Sequence, residues 1–176
     1  MMFRLLAPHL RVESVLDLTL DRLRELELDA LLLDADCTLK RYREETVTAE
    51  VAAWLDELRR AKIGLCLVSN GLGERIGRFA NTLDLPFVAK AAKPLPFGCR
   101  AAMRKMGFDR RRTAMVGDQL LADVMAGRLA GMTSILVRPI GPEEEPWFTR
   151  LKRPAERVLL RWMARFQRWQ PTRKGL

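Results

Sequence analysis

A chain of 176 residues, 48% apolar, can bury one sizeable core, and it contains no run near the ~20 apolar residues a membrane-spanning helix needs. Three cysteines without a CxxC pair argue against a disulfide framework and a zinc site, and the single histidine, His9, reads as a surface residue far from any partner for histidine-centred chemistry. The net charge of +9 is lopsided: residues 147–176 hold nine basic side chains and one acid, against 22 basic and 21 acidic in the remaining 146, so an acidic partner is expected to meet the tail.

The N-terminal segment is mostly apolar, but Pro8, His9 and Arg11 interrupt it before a signal-peptide core can form, which predicts a cytoplasmic protein. Leucines at helical spacing over residues 13–28 predict one helix or two short ones leading into the first strand. Leu31-Leu32-Leu33 then reads as a buried parallel strand, too short and too uniform for an amphipathic helix. It runs directly into Asp34, Asp36 and Thr38. Residues 40–46 read as a loop. Thr48 caps a helix to about Ala61 with Val51, Trp54, Leu55 and Leu58 on one face.

Residues 63–68 form the second buried strand, ended by Ser69-Asn70-Gly71, and a helix follows over 73–83. A short strand at 86–89, a loop at Lys93-Pro94, and a helix over about 97–106 come next. Residues 113–116 make a fourth strand, broken by Gly117-Asp118, then a helix over 120–130 and a fifth strand at 134–137. Strands alternating with helices predict an α/β fold: a Rossmann-like three-layer α/β/α sandwich with a central parallel sheet. Residues 1–140 form the predicted domain, with 1–28 as its helical lead-in, and 141–176 the basic amphipathic tail.

Four strand ends carry polar groups: Asp34/Asp36/Thr38, Ser69/Asn70, Lys93 and Asp118/Asp123. In a parallel sheet all four meet along the edge where open α/β sheets bind ligands. Paired acids at the end of a buried strand repel each other and lose hydration, and a bound cation offsets both. A carboxylate nucleophile, further carboxylates, hydroxyls and a lysine suit phosphoryl transfer. Mg²⁺ favours such oxygen sites, with one or two carboxylates plus substrate phosphate.

These motifs, Asp-x-Asp-x-Thr at 34–38, an apolar strand then Ser-Asn at 65–70, Lys-Pro at 93–94 and Gly-Asp-Gln-x-x-x-Asp at 117–123, resemble the haloacid dehalogenase-like phosphatases in order and spacing. The resemblance covers about residues 12–140. It implies that Asp34 is the nucleophile forming an aspartyl-phosphate and Asp36 the general acid and base. It implies Mg²⁺ ligands from Asp34, the Asp36 backbone carbonyl and Asp118. Thr38, Ser69 and Asn70 are implied to support the loop and the phosphate, with Lys93 neutralising both phosphate and nucleophile. Lys90 is the alternative lysine, and Pro94 favours Lys93. Asp123 is implied to act behind these, on a metal-bound water or on the lysine. Cys37 departs from the asparagine expected in the most similar relatives, at a side chain the chemistry does not use.

The gaps from Thr38 to Ser69 and from Asn70 to Lys93 hold a loop, a helix and a short strand, so no cap domain is expected. The lead-in helix and the Gly-Asp-Gln motif look most like the bacterial YqeG-type branch of subclass IIIA, similar to phosphatidylglycerophosphate phosphatases. That implies a lipid head-group phosphate as substrate. A helix from Leu151 onward would put Leu151, Ala155, Val158, Leu159, Trp162, Phe166 and Trp169 on one face, with Arg153, Arg157, Arg161, Arg165 and Arg168 beside them and Pro154 in the first turn. This composition suits an anionic membrane surface, contacted through residues 147–170 on the inner face. The same helix also suits packing on its own domain or a nucleic-acid backbone. No obligate protein partner is evident. Phosphatases of small soluble or nucleic-acid phosphates, and an RNA- or ribosome-associated binding protein, remain the other readings.

Overall fold

The computed structural model describes residues 3–145, 151 and 153–167. It divides into two compact units, Met1–Glu144 and Glu145–Leu176. Among the described residues, six strands form one parallel sheet: β1 Leu10–Val12, β2 Ala30–Leu33, β3 Gly64–Val68, β4 Phe87–Val88, β5 Thr113–Gly117 and β6 Thr133–Val137, in the order β1-β6-β5-β2-β3-β4. The helices among the described residues are α1 Phe3–Leu6, α2 Leu20–Glu25, α3 Ala49–Arg60, α4 Gly73–Thr82, α5 Phe97–Met106, α6 Met125–Ala130 and α7 Arg153–Gln167.

Strand residues alternate between two apolar layers. Leu31, Leu33, Leu65, Leu67, Ala114 and Val116 pack with Val51, Trp54, Leu55 and Leu58 of α3 and Ile76 and Phe79 of α4. Leu32, Cys66, Val68 and Met115 pack with Ala102 and Met103 of α5 and Ala126 and Ala130 of α6. Every residue of β2 is buried because both its faces are covered. α3 starts at the expected cap, where Thr48 Oγ1 accepts from the Val51 N–H at 3.4 Å, and Trp54 Nε1 donates to the Leu18 carbonyl at 3.0 Å. α5 and α6 end on Gly107 (φ 68°) and Gly131 (φ 78°), left-handed positions that glycine adopts without a Cβ clash.

The three-layer parallel sandwich agrees with the sequence, and the lead-in is two short elements, a 3₁₀ turn at Val15–Asp17 and α2. Three features differ. β1 was not foreseen, because three residues with an exposed Arg11 show no strand period; β1 exists because it pairs with β6. The third strand is only Phe87–Val88. The helix expected over 120–130 opens as a widened π turn at Leu120–Val124, where the Val124 N–H reaches the Gln119 carbonyl. Residues 34–63 and 69–93 carry only loops, α3, α4 and β4, so no cap is inserted there.

In the second unit, α7 is helical from Arg153 with Pro154 in its first turn; Leu151, Val158 and Trp162 are exposed. Arg168 and Trp169 lie outside the described residues, as do the side chains of Arg153, Arg165 and Phe166. No described helix is long and apolar enough to cross a membrane.

Candidate active site

β2 is where the strand order reverses: the chain builds β3 and β4 on one side of it, then returns to place β5 and β6 on the other. That reversal opens a crevice at the carboxyl ends of β2 and β5. Asp34 follows β2, Asp118 follows β5, Ser69 follows β3, and the loop after β4 delivers Lys93. The sheet thus gathers groups 80 or more residues apart in sequence, as when Thr38 Oγ1 donates to Asp118 Oδ1 at 3.1 Å.

Asp34, Asp118 and Asp123 are buried, and one oxygen from each lies within 4.8 Å of the others. The buried Lys93 Nζ stands 2.5 Å from Asp34 Oδ1 and 2.7 Å from Asp123 Oδ1, and donates to the Val68 carbonyl at 2.7 Å. Three carboxylates against one lysine leave two negative charges when all are ionised, the charge a divalent ion neutralises. An all-oxygen donor set of this kind fits Mg²⁺. Without a cation, burial pushes the Asp34 carboxyl up to about 8; Lys93 opposes this, while Asp123 and Asp118 add to it. Burial disfavours charge on Lys93, but Asp123 and Asp34 outweigh it and hold the amine well above its usual range.

Each group is placed by a local device. The π turn carries Asp123 back onto its own start, where Oδ2 accepts from the Gln119 N–H at 3.0 Å. Gly117 lies so close that a Cβ there would overlap the Asp123 carboxyl group. Asn70 clamps the lysine loop: its Nδ2 donates to the Lys93 carbonyl and its Oδ1 accepts from the Lys93 N–H, both at 2.8 Å. Gly98 lets α5 approach that loop, since a Cβ would sit 2.7 Å from the Ala91 carbonyl oxygen. Ser69 is buried, and its Oγ accepts from the Gly71 N–H at 3.1 Å, leaving its O–H to donate. The runner-up Lys90 is exposed, whereas Lys93 is buried among the carboxylates. Cys37 is buried with φ 60°, a left-handed geometry that asparagine adopts more readily than cysteine.

Asp36 stands apart from the other acids. Its carboxylate takes Lys40 Nζ at 2.7 Å, Arg75 Nη1 at 2.9 Å and Arg75 Nη2. Burial works to raise this carboxyl, but hydrogen bonds from Arg75 and Lys40 outweigh it and hold Asp36 below the usual carboxylate range. Neither Lys40 nor Arg75 was singled out in the sequence. The available signal was position: Lys40 is two residues past Thr38, and Arg75 sits in the first turn of the helix that follows Ser-Asn-Gly.

A profile of the haloacid dehalogenase-like hydrolases matches residues 8–131. The chain belongs to the haloacid dehalogenase-like hydrolases. It is an enzyme of the phosphatase type within them. It is 31% identical over 149 residues to the "Probable phosphatase YqeG" of Bacillus subtilis, covering 85% of this chain and 86% of that one. It is 29% identical over 125 residues to the phosphoserine phosphatase of Thermus thermophilus, covering 64% of this chain and 50% of that one. Among solved structures the haloacid dehalogenase-like fold recurs in NagD from E. coli K-12, with TM-score 0.54 and 14% identity over 68% of this chain and 93% of that one. It recurs too in the cobalt-bound deoxy-D-mannose-octulosonate 8-phosphate phosphatase of Haemophilus influenzae, with TM-score 0.53 and 17% identity over 64% and 70%.

Proposed function

We propose that this hydrolase is a Mg²⁺-dependent phosphomonoesterase that works through an aspartyl-phosphate on Asp34 and acts on phosphatidylglycerophosphate at a membrane surface. The observation that carries the chemistry is the buried Asp34/Asp118/Asp123 cluster with Lys93. Asp34, Asp118 and the Asp36 carbonyl would hold Mg²⁺, which when bound neutralises the carboxylates and the phosphate oxygens.

Asp34 Oδ attacks phosphorus and the ester P–O bond breaks. A proton brought in by the phosphate monoester passes through Asp36, which is ionised at rest, to the leaving alkoxide, and Asp36 then takes one from the water that hydrolyses the aspartyl-phosphate. Lys93, Thr38 and the Ser69 hydroxyl offer donors to oxygens that gain charge as the bond breaks. Asp123 keeps Lys93 oriented through their 2.7 Å ion pair.

The lipid reading draws support from two separate features. The described domain carries no inserted cap, so a head group borne on a surface need not be swallowed. The tail supplies an amphipathic, arginine-rich helix of the kind that lies on anionic bilayers. The likeness to a probable phosphatase over 85% of the chain agrees with the activity.

The test is phosphate release from phosphatidylglycerophosphate in anionic vesicles, with Mg²⁺ or with EDTA, using Asp34→Asn as control. Release by the wild type alone, and with Mg²⁺ alone, is the expected result. Turnover of an aryl phosphate without lipid turnover would retain the chemistry and discard the substrate. Release by Asp34→Asn equal to wild type would discard the covalent route.

A further inference from the structure

Asp36 carries more positive charge than one carboxylate needs. Lys40 alone neutralises it, and Lys40 is locked in place. Its side chain is 2% exposed, its Nζ donates also to the carbonyls of Arg41 at 3.2 Å and Tyr42 at 3.4 Å, and it lies 5.1 Å from the centre of the Phe79 ring. Arg75 is different. Its side chain is 37% exposed, it reaches Asp36 from α4, and its other contact is with the face of Tyr42, 5.4 Å away. A planar guanidinium forks onto a phosphate or carboxylate oxygen pair equally well. Arg75 is therefore a surplus cation, half in solvent, at the carboxylate that serves the leaving group.

Beside this pair is a cleft of about 420 Å³, within the size of small-ligand sites, lined in part by Lys40, Arg75, Tyr42, Arg43 and Phe79. Its charged rim is mostly committed elsewhere. Arg78 pairs with Glu74 at 2.6 Å, and Glu44 lies 3.9 Å from Arg41. Among the described residues Arg43 and Glu45 have no ion-pair partner. Four basic residues, Lys40, Arg43, Arg75 and Arg78, line the cleft against two acids, Glu44 and Glu45, next to the aromatic rings of Tyr42 and Phe79.

The geometry points to this cleft as the leaving-group subsite for an anionic group, a phosphodiester or comparable oxyanion next to the scissile phosphate, with Arg75 as the residue that selects it. On binding, Arg75 turns from Asp36 to that anion, while Lys40 stays. This rests on Asp34 and Asp36 being the reacting pair. It adds that specificity is set by α4 and the 40–46 loop, in a domain where no cap is inserted.

Two measurements on the full-length protein test it. The first is calorimetric binding of glycerophosphoglycerol, a soluble phosphodiester. Binding is expected to weaken about tenfold or more in Arg75→Met and to recover in part in Arg75→Lys. Arg43→Ala is expected to weaken it less. Equal affinity in Arg75→Met would overturn the subsite. The second is the ratio of kcat/KM for deacylated phosphatidylglycerophosphate over 4-nitrophenyl phosphate. It is expected to fall about tenfold in Arg75→Met, chiefly through KM. An unchanged ratio overturns the role of Arg75. If the wild type turns over neither substrate, the phosphatase reading fails, and the binding measurement still decides the subsite.

Discussion

Asn70 holds Lys93 by its main chain, donating to its carbonyl and accepting from its N–H at 2.8 Å each, across 23 residues. The side-chain amide stands in for a neighbouring strand, because the loop after β4 has none to pair with at that point. Asn70→Ala leaves both main-chain groups unmatched and is expected to cost about 1–3 kcal/mol in urea unfolding. It is also expected to lower kcat on the order of a hundredfold, since the Lys93 amine depends on that loop for its place. A kcat within threefold of wild type would show that the clamp does not position the lysine.

Lys93 is the positive charge lodged among Asp34 and Asp123. Lys93→Met leaves buried carboxylates uncompensated and is expected to destabilise the metal-free protein by roughly 3–5 kcal/mol. Mg²⁺ is expected to recover more stability in the variant than in the wild type, because it replaces the missing charge. Unfolding in EDTA and in Mg²⁺ measures both, and equal recovery would mean that the ion does not replace the charge of the lysine.

Gly117 leaves room for Asp123, and Gly117→Ala removes it. Backbone and carboxylate then compete for one volume, at an expected cost of about 1–3 kcal/mol. The sharper readout is Mg²⁺ dependence: the concentration of half-maximal phosphate release is expected to rise as the Asp123–Lys93 pair is displaced. An unchanged Mg²⁺ dependence would show that the carboxylate is free to move without consequence.

Asp34 binds a proton more tightly folded, near pH 8, than its ordinary 3.8. For an acid raised in this way, stability is full below the ordinary value and is lost as pH rises through about 8. Between about pH 7 and pH 8 the other shifted groups contribute little in either the folded or the unfolded chain. His9 is held below its usual range and stays neutral, Asp36 stays ionised, Lys93 stays charged, and burial keeps the Cys66 and Cys99 thiols up at about 11. The melting temperature in EDTA is expected to fall across this window, and the fall to vanish in Asp34→Asn or in saturating Mg²⁺. A flat wild-type profile would contradict the crowding of the carboxylates.

In α7, Arg157 and Arg161 are exposed, as are Val158 and Trp162. If this helix meets an anionic bilayer, each arginine contributes about 1 kcal/mol, so Arg157→Ala with Arg161→Ala is expected to weaken vesicle binding by roughly thirtyfold at low salt. Co-sedimentation with anionic and neutral vesicles checks it. Equal pelleting of wild type and double variant would remove the membrane from the reading.

Much of this protein can be read locally. An apolar run long enough for a strand and too short for a helix placed β2, and acids, hydroxyls and a lysine directly after strands or in the loops that follow them marked Asp34, Thr38, Ser69, Lys93 and Asp118. Those signals survive in one dimension because they depend on residue type and period alone. The tertiary structure decided the rest. β1 is a strand only because β6 lies beside it. Asp123 reaches Lys93 only because one turn of helix widens after Gly117. Asp36 meets Arg75, 39 residues on, only because α4 returns over the loop that follows β2. Each is a side-chain direction or a long-range pairing, set by how the strands register and where the helices pack, and no local period encodes either.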